Sequence, residues 1–251
     1  MFSKRISFAL VILFAVTSTL VACGGGGGGQ QSATDESPAE PAADPATFGS
    51  LTVTANFDGQ VPEPKQVDAS ANSECGVDTI EQYPVVVNDG KVKNVVVSVK
   101  DGPSGYAVSD PGSATIDQKN CRYQPHVVAL KVGQDLTITD SDEGMHNVRA
   151  TSNGSQLFNE TTFQGGSVEK TFDQTGVFSL ACDVHPWMSS YVYVTEHGQA
   201  AVTDDSGQTQ LSELPPGDYE LTIWHEELGT QTETVTIGEN EDAQLDVTLS
   251  S

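Results

Sequence analysis

Phe178-Ser-Leu-Ala-Cys182-Asp-Val-His185-Pro-Trp-Met188-Ser-Ser-Tyr-Val-Tyr-Val-Thr195 decides the fold. Phe178, Leu180 and Cys182 alternate with smaller residues, and Tyr191–Thr195 is aromatic and β-branched throughout. Each half reads as a strand, and the segment between them is short enough to set the two side by side. That connecting loop carries a thiol, an imidazole and a thioether within seven residues, Cys182 to Met188. Upstream, the spacing predicts further short strands at Val127–Thr139 (turning at Gly133), Met145–Ala150 and Val168–Phe172. Short strands at regular turn spacing predict an antiparallel β-sandwich.

Further out, the chain remains β-rich. Leu51–Phe57 alternates and ends at Asp58-Gly59. A hairpin is expected from Pro84 through an Asn88-Asp89-Gly90 turn into Val92–Val99, and Gly102–Asn120 reads as a loop. The tail predicts strands at Ala200–Thr203, Tyr219–Trp224, Thr230–Ile237 and Ala243–Leu249, with Leu214-Pro215-Pro216-Gly217 as a stiff turn. The Thr203-Asp204-Asp205-Ser206-Gly207 turn and the Leu-Pro-Pro-Gly-x-Tyr segment resemble transthyretin-like, carboxypeptidase-regulatory-like accessory domains. Such domains open with a strand like Leu51–Phe57, so the two ends of the chain are expected to pair, with a second domain inserted between them. The simpler alternative is two consecutive domains.

The chemistry centres on Cys182, His185 and Met188, with Gly144-Met145-His146-Asn147-Val148 upstream. One thiolate, two imidazoles and a long axial thioether are the donors of blue-copper electron-transfer sites. Zinc also accepts Cys and His, but thioether suits it poorly. The stretch Tyr123–Thr195 resembles the cupredoxin family, and within it the plastocyanin and amicyanin group. The matching residues are Tyr123, Pro125, Leu130 and Gly133, the His146-Asn147-Val148 tripeptide, and Cys182-x₂-His185-x₂-Met188. The resemblance implies a Greek-key sandwich holding one type 1 copper ion. His146, Cys182 and His185 would be its equatorial ligands and Met188 the axial one. Asn147 would pin the ligand loop by side-chain hydrogen bonds, and His185 would lie nearest solvent as the electron exit. Pro186 and Trp187 would form an apolar docking patch, although Trp187 could equally be a packed loop residue.

Lys4 and Arg5 precede a mostly apolar run, Ile6–Leu20, of signal-peptide length. Leu20-Val21-Ala22-Cys23 looks like a bacterial lipobox, which implies cleavage before Cys23, a lipid on its sulfur and an outer-membrane address facing the periplasm or the surface. Residues 23–47, rich in Gly, Pro, Ala and acids, read as a disordered linker. The expected organisation is therefore leader 1–22, linker 23–47, an N-terminal strand segment 48–75, cupredoxin domain 76–197 and a transthyretin-like domain 198–251. With Cys23 lipidated and Cys182 on metal, Cys75 and Cys121 remain to pair in an oxidising compartment.

Eleven basic against 35 acidic residues give a formal charge of −24. Nucleic acid is excluded as a partner, because phosphate binding needs clustered cations. A redox protein with a basic docking patch fits, while solubility or a salty habitat would account for the charge without a partner. No nucleophile-elbow Gly-x-Ser-x-Gly, His-Glu-x-x-His or phosphate loop occurs, and four protein ligands leave no open metal position, so an enzyme is not expected. The rival functions are a copper-delivery module and a surface glycan- or protein-binding β-protein with a vestigial copper site. His126 is expected to be structural and His197 solvated. His225, beside Glu226 and Glu227, reads as a surface histidine with the makings of a second metal site.

Overall fold

Residues that alternate apolar and polar bury one strand face, and the chain stacks such faces in two lobes. The computed structural model describes residues 44–103 and 112–251. The leader, the lipobox with Cys23, the linker up to residue 43 and residues 104–111 lie outside the described residues. Apart from two single-turn 3-10 helices, Pro45–Thr47 and Ser73–Cys75, the regular structure of the described residues is β. The protein is an all-β sandwich protein, as the alternation predicts.

In the first lobe, one sheet runs Ser155–Phe163, Met145–Ser152, Gly176–Ala181, Ser189–Thr195, Val127–Lys131. The facing sheet runs Ser167–Thr171, Asp135–Asp140, Ala114–Gln118, Tyr123–Gln124. Ile116, Leu136, Ile138, Val148, Leu180 and Val192 fill the space between them and are fully buried. Gly176–Ala181 pairs antiparallel with Ser189–Thr195, from Gly176 opposite Val194 to Ala181 opposite Ser189, so the seven-residue ligand loop closes that hairpin. The segment read as a loop, Gly102–Asn120, contains the strand Ala114–Gln118, which pairs in parallel with Asp135–Asp140. Its polar alternation hides a buried face, Ile116 and Gln118.

The second lobe contains the tail and more. Gly49–Asp58 lies between Gln208–Leu214 (antiparallel) and Asp242–Ser250 (parallel, Ser50 opposite Asp242 through Asp58 opposite Ser250). Val96–Asp101 lies between Ala200–Val202 and Gly217–His225. Val85, Val92, Val95 and Val97 join Leu51, Leu211, Leu221 and Ile223 in its core. The hairpin of Lys65–Asp68 and Thr79–Gln82 instead contributes Ala69, Cys75 and Ile80 to the first lobe's core. The chain thus crosses between lobes four times. The boundaries drawn at 48–75 and 76–197 do not follow the cores, because alternation identifies a buried face without saying which sheet it faces. The Thr203–Gly207 turn needs its glycine: Gly207 has φ +67°, and a Cβ there would lie 2.5 Å from Lys91 Cβ.

Candidate metal centre

The hairpin Gly176–Ala181/Ser189–Thr195 presents Cys182 at the end of one strand, while Met145–Ser152, paired with it through Arg149 opposite Ala181, brings His146 alongside. Cys182 Sγ lies 3.9 Å from His146 Nδ1 and 3.9 Å from His185 Nδ1, and the two Nδ1 atoms are 3.0 Å apart. A point equidistant from these three atoms is about 2.1 Å from each, the length of a metal–imidazole bond and slightly under a metal–thiolate bond. All three residues are buried, and Met188 is buried in the same cluster. The loop is closed by its own backbone: Met188 N donates to His185 O (2.9 Å) and Cys182 N to Met188 O (3.3 Å).

The outer edges of both imidazoles face carboxylates. His146 Nε2 is 2.9 Å from Asp142 Oδ2, and His185 Nε2 is 3.3 Å from Glu74 Oε1. A ring that donates its Nε2–H to a carboxylate carries a lone pair on Nδ1. These partners therefore leave two lone pairs facing each other across 3.0 Å beside a sulfur, an arrangement that a cation between them relieves. In the metal-free protein, burial works against a charged His146, but hydrogen bonds to Cys182 and Asp142 outweigh it and hold its pKa above the usual value. Burial likewise raises the Cys182 thiol, yet the bond to His146 and backbone N–H groups of Asn147, His185 and Val184 bring it below the usual value. Burial pushes His185 down.

Several of these supports come from outside the motif. Asp142 accepts from Asn120 N (2.7 Å) and Cys121 N (2.8 Å), which ties it to the Cys75–Cys121 disulfide. That disulfide also anchors the Ser73–Cys75 turn, whose Glu74 side chain lies against Gly144; a Cβ on Gly144 would sit 2.5 Å from Glu74 Cγ. Asn147 clamps the loop: its Oδ1 accepts from Asp183 N (2.6 Å), and its Nδ2 donates to Asn159 Oδ1 (2.7 Å) and Asp183 Oδ2 (3.1 Å). Tyr123 OH donates to Asn147 O (2.6 Å), and Gln82 Nε2 donates to Trp187 O (2.7 Å). Glu74, Asp142, Gln82 and Tyr123 were not read from the sequence as site residues. Asp142, four residues before His146, and Glu74, next to Cys75, carried the available signals.

His185 reaches no solvent itself: its relative exposure is 0%, as is that of His146, and Glu74 caps its ring. One expectation is corrected. His225 is not a surface residue; it is 1% exposed, with Nδ1 accepting from Glu227 N, and no metal-holding cluster among the described residues includes it. Pro186 is exposed, whereas Trp187 is half-buried, with its ring 5.3 Å from that of His185. His126 is structural, bonding Ser189 O (3.1 Å) and Glu226 Oε1 (2.6 Å) and so joining the lobes, while His197 is exposed. Trp187 and Met188 also line a cleft of about 530 Å³ with Lys65, Arg122, His126 and Glu226.

Residues 187–250 match the family model described as a carboxypeptidase regulatory-like domain. No curated protein matches the chain. Among solved structures, a purple cupredoxin from Nitrosopumilus maritimus is similar at 29% identity, over 33% of this chain and 99% of that one, with a TM-score of 0.30. A methionine-to-alanine mutant of amicyanin in its Cu(I) form is similar at 21% identity, over 39% of this chain and 98% of that one, with a TM-score of 0.31. A copper-containing nitrite reductase from Thermus scotoductus SA-01 is similar at 20% identity, over 38% of this chain and 25% of that one, with a TM-score of 0.32.

Proposed function

We propose that the protein is a single-electron carrier whose first lobe holds one copper ion through His146 Nδ1, Cys182 Sγ and His185 Nδ1, with the Met188 thioether as a weak fourth donor. The observation that carries this reading is the convergence of one sulfur and two lone-pair nitrogens on a point about 2.1 Å from each, roughly a bond length. Copper held by such a set cycles between Cu(I) and Cu(II). The residues of this chain supply rigidity and burial. Asn147 and Tyr123 fix the loop, and Asp142 and Glu74 fix both ring orientations. Donors held this firmly by their neighbours would move little between oxidation states of a bound copper, which would keep reorganisation small.

The thioether and the buried thiolate favour copper over zinc. With every position filled from the protein, the site passes electrons rather than transforming a bound substrate. The Leu20–Cys23 lipobox supports a lipid tether that holds the folded part near a bacterial outer membrane. The acidic surface supports a basic redox partner.

A visible absorption spectrum tests the reading. The copper-loaded protein is expected to be intensely blue to purple or green from thiolate-to-copper charge transfer, and to bleach reversibly with ascorbate. A colourless protein that takes zinc in preference would overturn it. Loss of copper to a weak chelator would favour a delivery module instead.

A further inference from the structure

His185 is fully buried, and its outer nitrogen is bonded to Glu74, whose own side chain is 29% exposed. Around that carboxylate the surface is apolar. Glu74 lies on Gly144; next to it, Met145 is 44% exposed and pairs across the sheet with Phe163, 60% exposed. Val184, next to His185 in the chain, is 42% exposed. The adjoining charges are acidic, Glu143 and Asp183, the latter shared with Arg149 at 2.7 Å. Large apolar residues exposed together beside a buried centre mark an interaction surface.

The rival surface is the cleft beside Trp187 and Met188, but cations (Lys65, Arg122) and acids (Glu81, Glu226) mix along it, and Met188 is only 1% exposed. Charge decides between the two: a −24 chain draws in a cationic partner, and the cleft's cations Lys65, Lys93 and Arg122 offset its acids Glu81, Glu226 and Glu227, whereas Glu74 and Glu143 complement such a partner.

We infer that the docking port for electron exchange is this carboxylate-capped face, where Glu74 stands in place of a bare imidazole edge and receives a lysine or arginine of a basic redox protein seated on Met145, Phe163 and Val184. The inference rests on the copper reading for its purpose, but the contact itself does not need the metal. The hydrogen bond from His185 Nε2 to Glu74 gives the port a direct connection to the centre.

The test uses a basic cytochrome c as probe and the full chain. Titrated into metal-free protein at low salt, the probe is expected to shift NMR signals of residues 74, 145, 163 and 184. Glu74→Gln should weaken binding several-fold at low salt and much less at 0.5 M salt. Phe163→Ser should weaken it at both. Glu239→Gln, which removes the same unit of charge from an exposed position in the second lobe, should leave binding unchanged, as should Arg122→Gln. In stopped-flow, oxidation of the reduced copper protein by the probe should slow in the same order among variants. Equal effects of Glu239→Gln and Glu74→Gln would reduce the effect to net charge and overturn the port. Signal shifts confined to the cleft, with stronger binding lost or gained only in Arg122→Gln, would overturn it in favour of the cleft. A failed copper spectrum with these binding results intact would sink the copper reading and leave the surface standing.

Discussion

The two lobes are built from the same kind of strand but bury different chemistry. In the second lobe the interior is Leu51, Val53, Val97, Leu211, Leu221 and Ile223. Its buried Thr203 satisfies backbone: the hydroxyl donates to Val92 O and accepts from Val95 N. In the first lobe the polar groups stand in a file. Glu74 meets His185, the two imidazoles face each other through their Nδ1 atoms, and His146 meets Asp142, which ends on the backbone of Asn120 and Cys121 beside the disulfide. Polar groups taken out of water are costly unless each finds a partner. The first lobe therefore devotes interior volume to orienting donors, and the second devotes it to packing.

The sharpest break in the comparison is Cys182→Ser. It should abolish the visible band entirely while the second lobe unfolds as before; retained colour would remove the sulfur from the centre. Next is Cys75→Ser with Cys121→Ser. Opening a crosslink across 46 residues should cost about 4 kcal/mol in the chain-entropy model, read by chemical denaturation. It should also free the Glu74 turn, so that small oxidants reach the reduced site faster; unchanged oxidation rates would show that the cap holds without the crosslink.

Leu221→Ala, at a fully buried position of the second lobe, should lose about 2–4 kcal/mol. Its absorption spectrum should not change, and a shifted band would mean that the lobes are not independent in this sense. Tyr123→Phe removes one buried bond to Asn147 O and should cost about 1–2 kcal/mol, with a changed band shape that the Leu221 variant lacks.

The smallest effect is acid sensitivity in the second lobe. Burial depresses the pKa of His225, so the unfolded chain binds a proton there before the folded one does. The stabilising effect of keeping His225 neutral is complete above its ordinary pKa of about 6.5 and is lost as pH falls through the lower folded value. His225→Gln should flatten the decline of Tm as pH falls below about 6.5; an unaltered slope would place the sensitivity elsewhere.

That Cys182 and His185 lie side by side was legible because one short strand–loop–strand holds them three residues apart. The pairing of Leu51–Phe57 with the tail was expected only through the tail's resemblance to transthyretin-like domains, since alternation alone does not say which sheet a strand joins. What escaped depended on contacts between distant segments. Glu74 meets His185 across 111 residues, and nothing local to either reports it. The burial of His185 was missed for the same reason, since its cap comes from the 65–82 segment rather than from the loop. Likewise Val96–Asp101 shows a buried face in its pattern, but only the register opposite Gly217–His225 shows which lobe it completes.

The parallel pairing of Gly49–Asp58 with Asp242–Ser250 has a mechanical consequence. Tension applied at residue 49 and at residue 250 pulls the two strands along their length in opposite directions, so nine aligned residue pairs resist sliding together rather than peeling one at a time. A load entering at residues 49 and 250 is borne by this clasp, and the first lobe hangs outside the line of force.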